Sequence, residues 1–346
     1  MRSFGSDNNS GVHPLVMKAL EEANRDHAVA YGDDPWTAAA RLKIKEAFGE
    51  EAEPFFVFNG TGANVIALRA CTSNFNSIIS ATTAHIAVDE CGAPVFMTGA
   101  ALKEIATPDG KLTPDLIRPQ LYNWGFEHHS QPKVVYISQC TELGTVYQPE
   151  EIKQIADYIH QYGMYLHLDG ARLANAAAAL GLTLRQLTTD CGVDIVSFGG
   201  TKNGLMMAES VITLRPELAE NLKYLRKQSA QLYSKMRYVS AQFIAYLDGD
   251  LWLKNATHAN KMAQKLRKGI EELGRYEFTQ STDANILLVK IPKETYLRLQ
   301  QKYFFYVWNE FNDEVRFVTS WDTTEEDIEG LVRKLRVESG KLKTEN

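Results

Sequence analysis

The chain has 346 residues, of which 45% are hydrophobic and 23% charged, the composition of an ordinary globular protein with room for one large domain and a smaller companion. The formal net charge of −6 gives no support for a nucleic-acid-binding surface, and no stretch approaches the roughly 20 continuous apolar residues of a membrane span. The first residues lack the apolar core of a secretory signal, so the sequence predicts a cytoplasmic protein.

The first chemical motif along the chain is a glycine-rich turn. Residues 55–58 have the pattern of a strand and run into Asn59-Gly60-Thr61-Gly62-Ala63-Asn64, after which a helical pattern begins. The glycines are expected to let the backbone turn tightly, so that free N–H groups at the helix start bind a phosphate dianion. Such turns also occur without any ligand. The spacing is not the dinucleotide fingerprint G-x-G-x-x-G, which disfavours a nucleotide-binding protein.

A histidine follows the next predicted strand, at residues 77–80. His85 is a candidate for stacking on a bound ring or for moving protons. Asp89, four residues later, is a candidate for orienting that imidazole or tuning its charge. The alternative is a histidine with purely structural contacts.

Four cysteines, Cys71, Cys91, Cys140 and Cys191, are scattered along the chain without the C-x-x-C spacing of zinc or redox sites. We expect them to be buried, reduced thiols, and we predict no metal site.

The middle of the chain alternates strands with helices, which predicts a mostly parallel sheet covered on both faces. In such sheets, ligands bind outside the carboxyl ends of the strands. Asp169 and Lys202 each follow a predicted strand, so we expect them at the same edge as the Gly60 turn. The predicted strands are residues 134–138, 164–168 and 194–197, and the predicted helices start at Pro149 and span Leu173 to Leu180.

A phosphate turn, an acid and a lysine at one sheet edge are the parts needed to hold pyridoxal phosphate (PLP). Asp169 would pair with the protonated pyridine nitrogen, and Lys202, with a pKa lowered in a dry site, would bind the cofactor covalently. Arg172 and Arg316 would clamp the carboxylate of a substrate. The structural alternatives are a helix N-cap for Asp169 and surface positions for the three cations. The convergence of these residues predicts a PLP enzyme that acts on an amino acid.

The pattern changes near residue 250. A basic amphipathic helix, roughly Asn255 to Leu273, precedes predicted strands at residues 285–290, 305–308 and 315–318, with a helix after Pro292. The last helix is predicted to open at Thr323, with Glu326 completing a capping box. We therefore expect a large PLP-binding domain at residues 1–250, to whose active site segment 1–30 contributes, and a small α+β domain at residues 251–346.

The chain resembles, essentially from end to end, the low-specificity L-threonine aldolases, which are fold-type I PLP enzymes with the aspartate aminotransferase fold. The resemblance implies a lyase that cleaves L-threonine, L-allo-threonine and other β-hydroxy-α-amino acids to glycine and an aldehyde such as acetaldehyde. The segments that carry the resemblance are Ser6-Asp7-Asn8, residues 30–34, 58–64, 84–85, 89–94 and 166–172, Phe198-Gly199-Gly200-Thr201-Lys202-Asn203-Gly204, and residues 316–322.

The resemblance also implies a role for each candidate residue. The PLP lysine is Lys202, the pyridine-nitrogen partner Asp169, the ring-stacking residue His85 and the phosphate cradle Gly60, Thr61 and Gly62, while Ser6, Arg172 and Arg316 bind the carboxylate and Arg172 also contacts the cofactor. Arg237 matches a residue that a neighbouring subunit supplies near the phosphate, and Tyr31 lies in a loop used near the substrate. The family forms dimers of dimers, so a homotetramer with shared active sites is expected.

Two departures from the family pattern limit what the resemblance implies. Gly62 stands where relatives often have a larger residue, and the lysine segment reads Thr-Lys-Asn-Gly where another branch has Ser-Lys-Gly-Leu. The stereochemical preference at the β-carbon is therefore not transferred. Two functional alternatives stay open: another PLP-dependent β-elimination on an amino acid, and a non-catalytic binding protein with a PLP-enzyme fold. The base for the β-hydroxyl is either His85, tuned by Asp89, or a water that it holds.

Overall fold

The protein is described from a computed structural model, which covers residues 2–341 and contains two β-sheets. The helices are α1 Pro14–Ala23, α2 Pro35–Phe48, α3 Gly60–Cys71, α4 His85–Val88, α5 Ala93–Thr98, α6 Pro114–Ile117, α7 Pro149–His160, α8 Leu173–Leu180, α9 Pro216–Ala219, α10 Leu222–Gln228, α11 Arg237–Leu247, α12 Leu251–Glu271, α13 Lys293–Gln300 and α14 Glu325–Lys341. The strands are β1 Glu53–Val57, β2 Asn76–Ala81, β3 Ala101–Ile105, β4 Gln131–Ser138, β5 Tyr165–Gly170, β6 Ile195–Gly199, β7 Glu209–Thr213, β8 Glu277–Phe278, β9 Ile286–Lys290, β10 Tyr306–Asn309 and β11 Glu314–Val318. Within residues 2–341, no helix combines the length and apolar character that crossing a membrane requires.

The larger sheet has seven strands in the order β1-β7-β6-β5-β4-β2-β3. Only β7 runs antiparallel to its neighbours, β1 and β6, so the predicted mostly parallel sheet is confirmed. Alternate residues of β4 face different cores: Val135 and Ile137 pack in one, and Val134 and Tyr136 in the other. A parallel strand buried on both faces carries continuous apolar residues, as these do.

The carboxyl ends of β2, β4, β5 and β6 lie at one edge of this sheet because the four strands are parallel and adjacent. Each of these strands is followed within a few residues by a polar side chain of the candidate active site. The fold therefore delivers residues far apart in the chain to a single place.

The smaller sheet is antiparallel, in the order β10-β11-β9-β8. Leu287 and Phe317 on its strands pack with Leu266 of α12 and Leu331 of α14 in a separate core. This matches the predicted α+β character of the C-terminal region. The division into domains at residue 250 stays a prediction.

An N-terminal strap, residues 2–10, joins the two sheets. The Phe4 backbone N–H donates to the carbonyl of Phe304 at 2.7 Å, and its carbonyl accepts from the Val318 N–H at 2.8 Å. The Phe4 ring is fully buried in the core of the smaller sheet. Three residues later, Asp7 contacts the larger sheet's carboxyl edge, so the strap connects the small-sheet core to the site.

Two local predictions were wrong in detail. The capping box of α14 is formed by Thr324 and Asp327, whose side chains each accept the other's backbone N–H, and not by Thr323 and Glu326. Thr323 is buried instead, and its hydroxyl accepts the backbone N–H of Ser320 at 2.9 Å.

The cysteines were predicted to be buried. Cys71, Cys140 and Cys191 are, but Cys91 is exposed, because it follows a short turn at the protein surface. All four are free thiols.

Candidate active site

Lys202 lies on a short 3-10 turn, Thr201–Asn203, after the carboxyl end of β6. Gly204 closes this turn with φ +101°, a conformation that favours glycine. Among residues 2–341, no partner forms a hydrogen bond or an ion pair with the Lys202 amine. Burial and then the Arg172 charge lower the pKa of Lys202, against the pull of the surrounding carboxylates. A lowered pKa increases the fraction of neutral, nucleophilic amine.

Asp169 lies at the end of β5 with both carboxylate oxygens hydrogen-bonded. Oδ2 accepts from Asn64 Nδ2 at 2.9 Å and from the Tyr136 hydroxyl, while Oδ1 accepts the Ala171 N–H at 2.9 Å. Burial works against ionisation, but the Lys202 charge and these hydrogen bonds outweigh it, and the pKa of Asp169 is lowered. Asp169 is therefore a fixed, buried anion, and it also caps the turn that follows.

His85 opens α4, after β2, and its partner is not the predicted one. Its Nδ1 lies 2.8 Å from Oε1 of Glu90, whereas Asp89 is exposed and makes no such bond. Glu90, the residue after Asp89, points into the protein, so the buried Glu90 carboxylate reaches the imidazole ring. The hydrogen bond from Glu90 raises the pKa of His85, against burial. Asn64 Nδ2 bonds both Glu90 and Asp169, which links the histidine to the buried anion.

A cavity of about 520 Å³ collects half of the predicted site residues. It is lined, among others, by Ser6, His85, Asp89, Arg172, Lys202 and Arg316. An amine, an imidazole and two guanidinium groups thus share a space large enough for a small ligand.

Arg172 is held in place by Asp7. Its Nε and one terminal nitrogen donate to the two carboxylate oxygens of Asp7 at 2.7 and 2.8 Å, a bidentate pair buried on both sides. Burial opposes the charge, but Asp7 raises the pKa of Arg172. Asn285, before β9, also donates to Asp7 at 3.0 Å. Arg172 therefore presents a fixed cation to the cavity.

Arg316 enters the cavity from β11 and has no carboxylate partner among residues 2–341. Val315 and Phe317, its neighbours on the strand, are fully buried, and successive side chains of a strand point to opposite faces. Its guanidinium carbon lies 4.6 Å from the centre of the Trp308 ring, and its Nε is buried without a hydrogen bond. Burial, then the Arg172 charge, lowers the pKa of Arg316 to about 10. A buried cation without a partner is poised for an anion.

The glycine-rich segment forms the first turn of α3, not a tight turn before it. Neither Gly60 nor Gly62 has a positive φ, and the extended residue Asn59 makes the turn and caps the Gly62 N–H at 2.7 Å. The first N–H groups of a helix have no intrahelical acceptor, so those of Gly60 and Thr61 remain free. One turn further on, Asn64 contacts Asp169, about 6 Å along the helix axis from Gly60.

These features fit PLP. Asp169 is a buried anion suited to a pyridine nitrogen, the Lys202 amine has no bonded partner within residues 2–341, and the first N–H groups of α3 are suited to a phosphate.

Tyr31 and Arg237 lie outside this cavity in a single chain. Tyr31 is half-exposed with φ +66°, and Lys227 lies 5.3 Å from the centre of its ring. Arg237 donates to the carbonyls of Arg25 and Asp26 at 3.4 and 3.0 Å. Their assignment to a neighbouring subunit's site stays a prediction.

Besides Asp7 and Glu90, two further carboxylates of the site were not predicted. Glu142, in the loop after β4, lines the cavity, and its Oε1 accepts from the His85 backbone N–H at 2.8 Å and the Ser138 hydroxyl at 2.7 Å. Burial raises its pKa. Glu209 of β7 accepts the Thr201 N–H at 3.3 Å, and burial raises the pKa of Glu209 to about 7. A polar residue just after a strand was the available signal for Glu142, but Glu209 lies inside a strand that was not predicted.

Known proteins resemble the chain in sequence and in fold. Residues 3–292 match the family described as beta-eliminating lyase. A low specificity L-threonine aldolase from Pseudomonas sp. (strain NCIMB 10558) is 39% identical over 97% of this chain and 97% of its own length. A solved structure of Leishmania major threonine aldolase superposes with a TM-score of 0.92 at 30% identity, covering 99% of this chain and 100% of that one.

A more distant structure supports the fold alone. Thermus thermophilus aspartate aminotransferase superposes with a TM-score of 0.70 at 12% identity, covering 97% of this chain and 90% of that one.

Proposed function

We infer, from the premise that this chain belongs to the beta-eliminating lyase family, that it is a PLP-dependent lyase that cleaves threonine to glycine and acetaldehyde. The observation that carries this function is that the Lys202 amine and the Arg316 guanidinium, neither of which has a bonded partner within residues 2–341, share one cavity with His85. We propose that both L-threonine and L-allo-threonine are substrates, together with other β-hydroxy-α-amino acids.

Four elements of the chain would hold the cofactor. Lys202 binds it covalently, Asp169 pairs with its ring nitrogen, His85 stacks on the ring, and the N–H groups of Gly60 and Thr61 bind the phosphate. When bound, PLP supplies an electron sink for the bond that breaks at the substrate's α-carbon. Asp169 keeps that sink effective because its lowered pKa holds it anionic beside the ring nitrogen.

The substrate carboxylate would bind between Arg316 and Arg172, with Ser6 at the cavity wall. Arg172 is already fixed by Asp7, so it positions the anion, while Arg316 lacks a carboxylate within residues 2–341 and gains one from the substrate. A fixed carboxylate sets the rotation about the bond between the amino nitrogen and the α-carbon. This rotation decides that the Cα–Cβ bond, rather than the Cα–H bond, is oriented for cleavage.

Cleavage also requires a proton acceptor for the β-hydroxyl. Because Nδ1 of His85 is engaged by Glu90, Nε2 is the ring atom free to accept a proton, directly or through a water. Glu142 holds the His85 backbone, and through it the position of the ring. Asp89 also lines the cavity, and its negative charge, like that of Asp7, favours the charged form of Arg316.

Replacement of the lysine tests this function. Lys202→Ala should abolish the visible absorbance of the lysine-bound cofactor and reduce steady turnover of L-threonine by several orders of magnitude. Lys153→Ala, on the exposed face of α7, is the matched control and should change neither. A Lys202→Ala protein that kept both the absorbance and the turnover would refute the assignment.

β-Elimination from a β-substituted amino acid is the nearest alternative reaction for the same residues. Product analysis distinguishes the two, because aldol cleavage gives glycine and acetaldehyde whereas elimination from serine gives pyruvate and ammonia. A purified protein that contains no cofactor would instead favour a non-catalytic binding role.

We propose in addition that the protein works in the cytoplasm as a homotetramer, a dimer of dimers in which Arg237 and Tyr31 serve the site of a neighbouring copy. Support comes from an apolar groove of about 960 Å³ beside α1, to which Met17, Met206 and Met207 contribute half-exposed side chains. Large exposed apolar patches of this kind are typical of interfaces between copies.

A further inference from the structure

Gln231 is turned into the protein by a strained backbone. It follows α10, and the preceding Ala230 has φ +57°, a left-handed conformation that residues with a Cβ rarely adopt. Its backbone N–H donates to the carbonyl of Arg226 at 3.0 Å, and only 7% of the residue is exposed. An uncharged polar side chain is thereby buried at a defined place.

That place is the space above Gly62, in the first turn of α3. A Cβ atom on Gly62 would lie 2.4 Å from Cδ and 2.5 Å from Nε2 of Gln231, so the flexible Gln231 side chain would have to move. Gly62 is helical and has no positive φ, so its backbone conformation does not call for glycine, which is a poor helix former. A side chain at position 62 and the observed position of the Gln231 amide therefore exclude each other.

The amide of Gln231 has a defined orientation. Its Oε1 accepts the backbone N–H of Phe58 at 3.2 Å, which leaves Nε2 as the outward end. Within residues 2–341, Nε2 donates to no acceptor. Side chains of a helix tilt toward its N-terminus and cover the residues three to four positions earlier, so the space of the missing Gly62 side chain lies over Phe58 and Asn59, at the start of α3. The Nε2 donor therefore lies beside the helix start.

We propose that Gln231 is a phosphate-binding residue, whose Nε2 donates to the cofactor phosphate alongside the N–H groups of Gly60 and Thr61. This inference rests on the proposed function, because it requires PLP at the site. All the groups brought together here are uncharged donors, which suits an anion with several oxygens. Gly62 and Gln231 then form one unit, in which any side chain at position 62 displaces the amide.

The test compares two ligands that differ only in the phosphate. Apoprotein prepared from the holoenzyme is titrated with PLP and with pyridoxal, and binding is followed by absorbance, for the wild type, Gln231→Met and Gln231→Glu. Methionine keeps the length and removes the donor, while glutamate keeps Oε1 and adds a negative charge.

We expect Gln231→Met to weaken PLP binding about tenfold, the effect of one hydrogen bond to a charged group, and to leave pyridoxal binding unchanged. Gln231→Glu should weaken PLP binding further because its charge repels the phosphate. Inorganic phosphate, which competes with PLP, should lose affinity in parallel. The matched control is Gln228→Met, three positions earlier, whose exposed side chain bonds Arg69 and should have no effect.

Equal losses for PLP and pyridoxal, or no loss for either, would overturn the role of Gln231. A wild-type protein that bound no PLP would instead contradict the proposed function. Should Gln231→Met fail to fold, Gly62→Ala gives the same comparison, because its methyl group pushes the amide aside. Gly62→Ala should also lose affinity for PLP and keep its affinity for pyridoxal. A Gly62→Ala protein that showed no such difference between the two ligands would count against the proposal.

Discussion

Arg316 is a cation without a carboxylate partner within residues 2–341, in a cavity that binds an amino acid in the proposed reaction. Replacing it with alanine should raise the KM for L-threonine, with a loss of roughly a hundredfold in kcat/KM, because a charge-assisted hydrogen bond contributes about 1.5–3 kcal/mol. Arg316→Lys keeps the positive charge but loses the paired N–H donors of the guanidinium, so its kcat/KM should lie between those of the wild type and Arg316→Ala.

Steady-state kinetics measure this effect, with cofactor absorbance as a check that PLP is retained. Arg267→Ala, which removes an arginine stacked on Phe278 of the smaller sheet, is the control. Unchanged KM in Arg316→Ala would contradict the assigned role.

Glu90 is the group that sets the charge of His85. Its hydrogen bond is the largest influence that raises the pKa of the imidazole, so Glu90→Gln should lower that pKa, since only the Asp169 charge then opposes burial and the Lys202 charge. If neutral His85 is the active form, activity rises as pH passes through this pKa, and the acid limb of the pH profile should move to lower pH. Asp89→Asn is the control. An acid limb that shifted in Asp89→Asn and not in Glu90→Gln would contradict the role assigned to Glu90. NMR titration of the ring gives the pKa directly.

At the scale of single residues, sequence patterns identified polar residues that the fold brings to one sheet edge, but not the partners that hold them. Lys202, Asp169 and His85 each follow a strand, which is a local signal. Asp7 reaches Arg172 only through the N-terminal strap, and Gln231 reaches Gly62 only through the fold. Such pairs are far apart in the sequence, so no spacing rule reveals them.

The last helix, α14, is held at its start by the reciprocal Thr324–Asp327 box. Thr324→Ala should lower the free energy of unfolding by about 1 kcal/mol, measured by urea denaturation, because it removes an N-cap acceptor. Glu326→Gln is the control and should change it by less than about 0.5 kcal/mol, since Glu326 lies outside the box. A loss in Glu326→Gln without a loss in Thr324→Ala would instead support the box of Thr323 and Glu326.

At the scale of elements, the prediction succeeded where the pattern was local. Leu173 to Leu180 was predicted with its observed bounds, and the strands around the site were predicted within a few residues. The capping box of α14 was predicted one residue too early because Thr323 and Thr324 are adjacent and each is followed by an acidic residue three positions later. Strand β7 was missed because its short apolar run, Val211–Ile212, is flanked by polar residues that the surrounding sheet buries.

At the scale of the whole molecule, the proposed sharing of sites between copies can be tested by complementation. Lys202→Ala and Arg237→Ala disable different parts of a site, and co-expression should produce mixed dimers in which one site has both wild-type residues. Random mixing should restore about a quarter of wild-type activity, because half of the dimers are mixed and each has one intact site. Activity no higher than the average of the separate variants would mean that Arg237 serves its own chain.

The N-terminal strap has a practical consequence for handling the protein. Phe4 is buried in the core of the smaller sheet, and Arg2 forms ion pairs with Asp322 and Asp327. A purification tag fused to residue 1 would therefore be attached to the same segment that carries Asp7, the counter-ion of Arg172. Removal of the first seven residues by an aminopeptidase would take away both Phe4, which packs in the core of the smaller sheet, and Asp7, which holds the Arg172 guanidinium. Preparations trimmed in this way should therefore lose both melting temperature and threonine affinity.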